Sequence, residues 1–162
     1  MTKVLAIIPA RKGSVRFGGK NLEKIGGRTL VKHAIDSALA CSVVDEVVVT
    51  SDSELVAKQA SLASVNFIQR PSELASENAS LKDVVEHVAR LVDFDIGVLL
   101  QPTSPLRSYS TVEKAVTTLL GDPSISSVVS CLRLPFPLSD IRRIDENGKQ
   151  LPMDDDCNLS VV

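Results

Sequence analysis

Cysteine is scarce and scattered in this sequence: Cys41, Cys131 and Cys157 stand far apart, and no Cys-x-x-Cys pair occurs. That spacing excludes a zinc knuckle and a disulfide framework, so reduced thiols in a cytoplasmic protein are expected. An excess of positive charge is missing as well. Eighteen Lys and Arg face 20 Asp and Glu, for a net charge of −2. No broad basic field exists for wrapping nucleic acid, although a few local cations suffice for a small anion. No apolar run approaches the ~20 residues a membrane helix needs. The N-terminal apolar stretch is too short for a signal peptide and no small-residue cleavage pattern follows it. The expectation is a soluble protein that partners neither nucleic acid nor membrane. Hydrophobic residues at 44% and charged residues at 23% give an ordinary globular balance, which excludes a disordered chain. The 162 residues fit one domain that buries roughly two-thirds of its unfolded surface.

What is present is an alternation of two periods. Lys3–Ile8 is a continuous apolar run ending at Pro9, the pattern of a central strand buried on both faces. Residues 29–41 place Leu30, Val31, Ala34, Ile35, Ala38 and Leu39 on one helical stripe. Glu46–Thr50 reads as a second strand, with Ser51-Asp52-Ser53 as an N-cap cluster for a helix over 54–63. Val65–Gln69 reads as a third strand. Ser80 and Asp83 resemble a capping box for a helix that buries Leu81, Val84, Val85, Val88 and Val92. Ile96–Leu100 reads as a fourth strand, 110–120 as a helix and Ser126–Leu132 as a fifth strand. Strands alternating with helices imply parallel βαβ units, hence a Rossmann-like α/β fold with a mainly parallel sheet. Residues 1–133 form the expected domain, and 134–162, broken by Pro135, Pro137, Gly148 and Pro152, an irregular tail of it.

In such a sheet, ligands bind beyond the carboxyl ends of the strands. The segment after the first strand, Pro9 to Asn21, holds three glycines, two arginines and two lysines. Glycines permit close backbone approach, and N–H groups with cations surround an anion, so a polyphosphate suits the loop. The bland alternative is a solvated loop with incidental charge. Two common nucleotide motifs are absent: no Gly-x-Gly-x-x-Gly follows the strand, and Lys20 precedes Asn21 rather than Ser or Thr. His33 and His87 lack carboxylate or cysteine partners at ligand spacing and read as solvated. No Ser/His or Cys/His couple suggests a covalent intermediate.

Three motifs together carry a resemblance. Ile8-Pro9-Ala10-Arg11-Lys12-Gly13-Ser14 with Lys20-Asn21 is similar to the signature loop of the acylneuraminate cytidylyltransferase family. Arg70-Pro71-Ser72-Glu73-Leu74-Ala75, leading into Glu77-Asn78-Ala79-Ser80, resembles that family's Arg-Pro-x-x-Leu-Ala segment. Leu99-Leu100-Gln101-Pro102-Thr103-Ser104-Pro105-Leu106-Arg107 resembles a characteristic block at the end of a strand. The resemblance spans about residues 3–133. It implies a three-layer α/β/α nucleotidyltransferase fold and activation of a 2-keto sugar acid by CTP, with Mg²⁺ as cofactor and a homodimer as assembly. Arg11 and Lys20 would offset charge at the attacked phosphate, with Ser14 and Asn21 gripping the phosphates. Arg70, Ala79 and Ser80 would hold the cytidine, and Gln101, Ser104 and Arg107 would line the sugar acid.

Each of these residues also has a plain structural reading. Arg70 suits a surface position before proline, Gln101-Pro102 a strand end, and Ser80 a helix cap. Asp52 suits an N-cap better than a ribose contact. Val15 and Gly19 stand where the family often has a basic residue and a proline. The family's later Arg-x-Asn-Gly-Ala-Ile-Tyr-like strand and metal-holding Asp-x-Asp pair are not found after Arg133, so the metal ligands are not identified. Hence one alternative is a short member lacking the C-terminal third that binds CTP without efficient catalysis. Another is a sugar nucleotidyltransferase with a different base preference. Ala10-Arg11 in place of that branch's first glycines argues against it.

Overall fold

The structure, a computed structural model, describes residues 2–13, 18–131, 142–144 and 150–152. The chain divides into two compact units, Met1–Val129 and Ser130–Val162. In the first, four parallel strands form one sheet in the order β5-β4-β1-β6. They are β1 (Val4–Pro9), β4 (Glu46–Ser51), β5 (Asn66–Gln69) and β6 (Ile96–Leu99). The register sets Ile7 opposite Val48 on one side of β1 and opposite Leu99 on the other. The chain lays β4 and then β5 outward from β1, then returns past it to place β6 on the opposite flank. All four carboxyl ends therefore point the same way.

Period-two alternation along β1 builds two cores from one strand. Ala6 and Ile8 pack with Val47 and Val49 against α1 (Leu30–Leu39), α2 (Glu54–Leu62) and α5 (Tyr109–Gly121). Leu5 and Ile7 pack with Val48 against Val88 and the partly buried Val85 of α4 (Leu81–Ala89). The sheet is thus covered on both faces, as its uninterrupted apolar central strand requires. Leu5, Ile7 and Ile8 are fully buried, each contributing about 1.5–3 kcal/mol of hydrophobic stabilisation.

Local chemistry sets the helix starts. The Thr29 hydroxyl caps α1 by accepting from Lys32 N–H at 3.2 Å. Ser80 and Asp83 form the expected reciprocal box at the start of α4. A hairpin that the sequence pattern did not mark joins β2 (Lys24–Ile25) to β3 (Arg28–Thr29). Its two-residue turn, Gly26-Gly27, has φ of 58° and 81°, which suits glycine at both positions. His33, expected to be solvated, instead bonds through Nε2 to the Ile25 carbonyl of this hairpin at 2.8 Å. A one-turn helix, α3 (Ser72–Ala75), follows β5.

One expectation is corrected. The fifth strand, predicted over Ser126–Leu132, does not form across its described part: residues 126–131 join none of the described sheets. Its β-branched composition marks strand propensity, but a strand exists only where a ladder forms. The second unit begins at Ser130. It contains an antiparallel pair, β7 (Arg142–Ile144) with β8 (Gln150–Pro152).

Candidate functional site

A cleft of about 620 Å³ opens where β1 and β4 end. Its walls come from Arg11, Lys12, Gly13, Gly18, Gly19 and Asn21 on one side and Asp52, Ser53, Leu55 and Ala75 on the other. Three consecutive residues of the loop after β1 are each held by one side chain, two from the end of β4 and one from the loop's far end. Ser51 Oγ donates to the Ala10 carbonyl at 2.5 Å. Asn21 Nδ2 donates to the Arg11 carbonyl at 2.9 Å. The Lys12 N–H donates to Asp52 Oδ1 at 2.6 Å. Ala10 N–H adds a backbone bond to the Thr50 carbonyl at 3.0 Å. The loop's start is therefore fixed before any ligand arrives, the preorganisation an anion site needs.

The expected Ser51-Asp52-Ser53 cluster does supply the N-cap of α2, but the N-cap role given to Asp52 is corrected by these bonds. The N-cap of α2 is Ser53, whose side chain makes no capping bond. Its backbone N–H donates to Ser51 Oγ at 3.0 Å, and Asp52 turns to the first loop instead. Sequence reasoning missed this because the partners lie 40 residues apart. A polar triplet directly after a strand was the available signal.

Arg11 and Lys12 are the cations that line the cleft, and Arg70, outside that lining, lies near Asp52 and Arg11. Arg11 Nη1 donates to the Ser76 carbonyl at 2.9 Å, tying the first loop to the segment before Ala79. Arg70 is only 5% exposed, which rules out a plain surface position. Its Nη2 donates to the Thr50 carbonyl at 2.9 Å, while Nε is buried without a partner. Burial pushes the guanidinium pKa down, the nearby Asp52 opposes that shift, and Arg11 adds to it. An arginine stays charged regardless. Its orphaned N–H is costly unless a ligand or water accepts from it.

The remaining sequence-predicted residues are dispersed. Lys20 opens the short 3₁₀ turn that carries Asn21 but is outside the cleft lining. Ser14 lies outside the described residues. Ala79 is half-buried, and the Ser80 hydroxyl accepts from Asp83 N–H at 3.1 Å, leaving its own hydrogen to donate. Beyond β6, Arg107 Nη2 donates to the Gln101 carbonyl at 3.3 Å. Arg107 Nη1 is buried without a partner, and burial pushes that guanidinium pKa down too. Ser104 is exposed. This second loop is not among the residues lining the cleft.

No group of three His, Cys, Asp or Glu able to hold a metal occurs among the described residues. The cleft has one carboxylate, Asp52, already bonded to Lys12 and set near Arg70. These residues do not fit a protein-held Mg²⁺, which is usually bound through one or two available carboxylates plus phosphates.

The sheet order, its crossovers and the cleft at the carboxyl ends define a Rossmann-like nucleotidyltransferase fold. A family model described as cytidylyltransferase matches residues 5–135, and the chain belongs to that family. It is 35% identical over 146 residues to an N-acylneuraminate cytidylyltransferase of Escherichia coli O18:K1:H7, covering 90% of this chain and 35% of the relative. It is 38% identical to a CMP-N,N'-diacetyllegionaminic acid synthase of Legionella pneumophila, covering 90% and 65%. Among solved structures it is similar to a CMP:2-keto-3-deoxy-manno-octonic acid synthetase complexed with CTP. That likeness has a TM-score of 0.69 and 29% identity, over 76% of this chain and 50% of that one. The chain thus spans between about a third and two-thirds of the length of these relatives.

Proposed function

We propose that the cleft binds CTP and that the chain belongs to an enzyme that activates a 2-keto sugar acid as its CMP derivative. The observation that carries this reading is the pinned loop after β1, with Arg11 on its wall and the buried Arg70 beside it. The relatives support it, since their names all join a cytidylyl group to a sugar acid.

In the reaction, the anomeric hydroxyl oxygen of the sugar acid attacks the α-phosphorus of CTP. The bond to the β-phosphate oxygen breaks, pyrophosphate leaves and the hydroxyl proton passes to solvent. Charge builds on the phosphate oxygens, so Arg11 and Lys20 lower the barrier by standing close to them. Ser14 and Asn21 complete the phosphate grip, Asn21 chiefly by holding the Arg11 carbonyl. Arg70, the backbone at Ala79 and the Ser80 hydroxyl face the cytidine. Gln101, Ser104 and Arg107 form the sugar-acid wall. Mg²⁺ carried by the triphosphate would offset part of its charge.

Calorimetric titration with CTP, ATP, GTP and UTP, each with Mg²⁺, tests the reading. CTP should bind tightest, because fixed polar groups reject a base that leaves them unpaired. Equal affinity for all four would remove the cytosine assignment.

A further inference from the structure

We infer that Asp52 is a positioning residue that sets the first loop for its ligand, acting through the Lys12 backbone rather than on the ligand. This rests on the reading of the cleft as the CTP site. A carboxylate on the wall of a polyphosphate site is unfavourable toward the ligand itself, since like charges repel. Its presence calls for work on the protein side, and the geometry supplies it. Asp52 Oδ1 accepts from Lys12 N–H at 2.6 Å, a charge-assisted bond of the stronger kind.

Position makes this bond matter. Ser51 and Asn21 hold the Ala10 and Arg11 carbonyls, and Asp52 holds the next residue's N–H. Lys12 and Gly13 are exposed, so Asp52 is the outermost of the three pins before the chain reaches the exposed loop. Without it, Lys12 and Gly13 regain backbone freedom that a ligand would have to remove again on binding. The charge of Asp52 also opposes the lowering of the Arg70 guanidinium pKa by burial, and that guanidinium bonds to the Thr50 carbonyl at the β4 end. Neither the capping pattern nor the cleft's cations would have assigned Asp52 this part.

Two variants separate the roles. Asp52→Asn keeps an oxygen that can accept from Lys12 N–H but removes the charge, whereas Asp52→Ala removes both. With Mg²⁺-CTP titrated calorimetrically, Asp52→Ala should bind about tenfold more weakly and Asp52→Asn within about threefold of the natural chain. In the absence of nucleotide, amide hydrogen exchange at Lys12 should speed up in Asp52→Ala and stay slow in Asp52→Asn. Equal loss of affinity in both variants would overturn the inference, since it would place the charge itself on the ligand or a metal. Unchanged Lys12 exchange in Asp52→Ala would overturn it independently of any nucleotide. If the natural chain binds no CTP, the reading of the cleft falls first; the exchange arm then still decides whether Asp52 sets the loop.

Discussion

The loop after β1 and the loop after β6 leave neighbouring parallel strands at the same end of the sheet, yet they are built on different plans. The first is held from outside by Ser51 and Asp52 and from its own far end by Asn21, and reaches across to Ser76 through Arg11. The second is held from within. Its bonds run from Ser104 N–H to the Gln101 carbonyl, from Arg107 N–H to the Ser104 carbonyl, and from the Arg107 guanidinium to the Gln101 carbonyl again. Leu106 at its tip is 87% exposed. A loop pinned to other elements can present fixed donors to a ligand, while a self-contained turn keeps its shape but faces open space. Under the proposed function, the first loop would take the nucleotide and the second the sugar acid.

The largest effect that would sharpen this contrast is at the cations of the first site. Arg70→Ala and Arg11→Ala should each weaken CTP binding by about 1.5–3 kcal/mol, the scale of hydrogen bonds to charged groups. Arg70→Ala should also lower the melting temperature, because the residue is buried against β4. Arg11→Ala, with a half-buried side chain, should leave stability nearly unchanged. If Arg11→Ala unfolded the protein without altering affinity, its role would be structural. Arg70→Lys should not rescue binding, since an ammonium cannot serve the Thr50 carbonyl and a ligand with the same planar fork.

A smaller effect is expected in the second loop. Arg107→Ala removes the link to Gln101 and should leave CTP affinity within about 0.5 kcal/mol of the natural chain, as for sites without a shared partner. Its cost should appear as faster amide exchange across 101–107. A loss of CTP affinity as large as that of Arg11→Ala would erase the distinction between the loops.

The smallest effect lies at the opposite end of the strands, away from both loops. Glu46 at the start of β4 pairs with Lys3 at 2.7 Å and accepts from Asn66 at 2.8 Å. The Lys3 bond leads the causes that hold its carboxyl pKa below the ordinary value, against burial. The folded pKa is therefore depressed. Its contribution is present above the ordinary glutamate value and is lost as pH falls toward the lower folded value. Denaturation against pH should show Glu46→Gln losing that acid-side slope, while CTP affinity at neutral pH stays unchanged.

Much of this was legible in the sequence, and the reasons differ by element. β1 announced itself because Val4–Ile8 is apolar without alternation, which only a strand covered on both faces tolerates. α4 was legible because its cap and its buried stripe are local patterns. The loops were found from residue types at strand ends, but their wiring was not. Asp52 and Lys12 meet across 40 residues, and Arg70 lies under a wall whose depth no local pattern encodes. Residues 126–131 failed the other way: their strand-like composition was visible, yet they join none of the sheets formed by the described residues.

The central claim is that the nucleotide meets the first loop and not the second, and amide chemical shifts recorded during titration with Mg²⁺-CTP test it most directly. The account predicts that the largest changes fall at residues 11–13, 18–21, 52–53 and 70–80, with 101–107 nearly still until a 2-keto sugar acid is added. Changes concentrated in 101–107 on CTP alone, with Lys12, Gly13 and Asp52 unmoved, would contradict it.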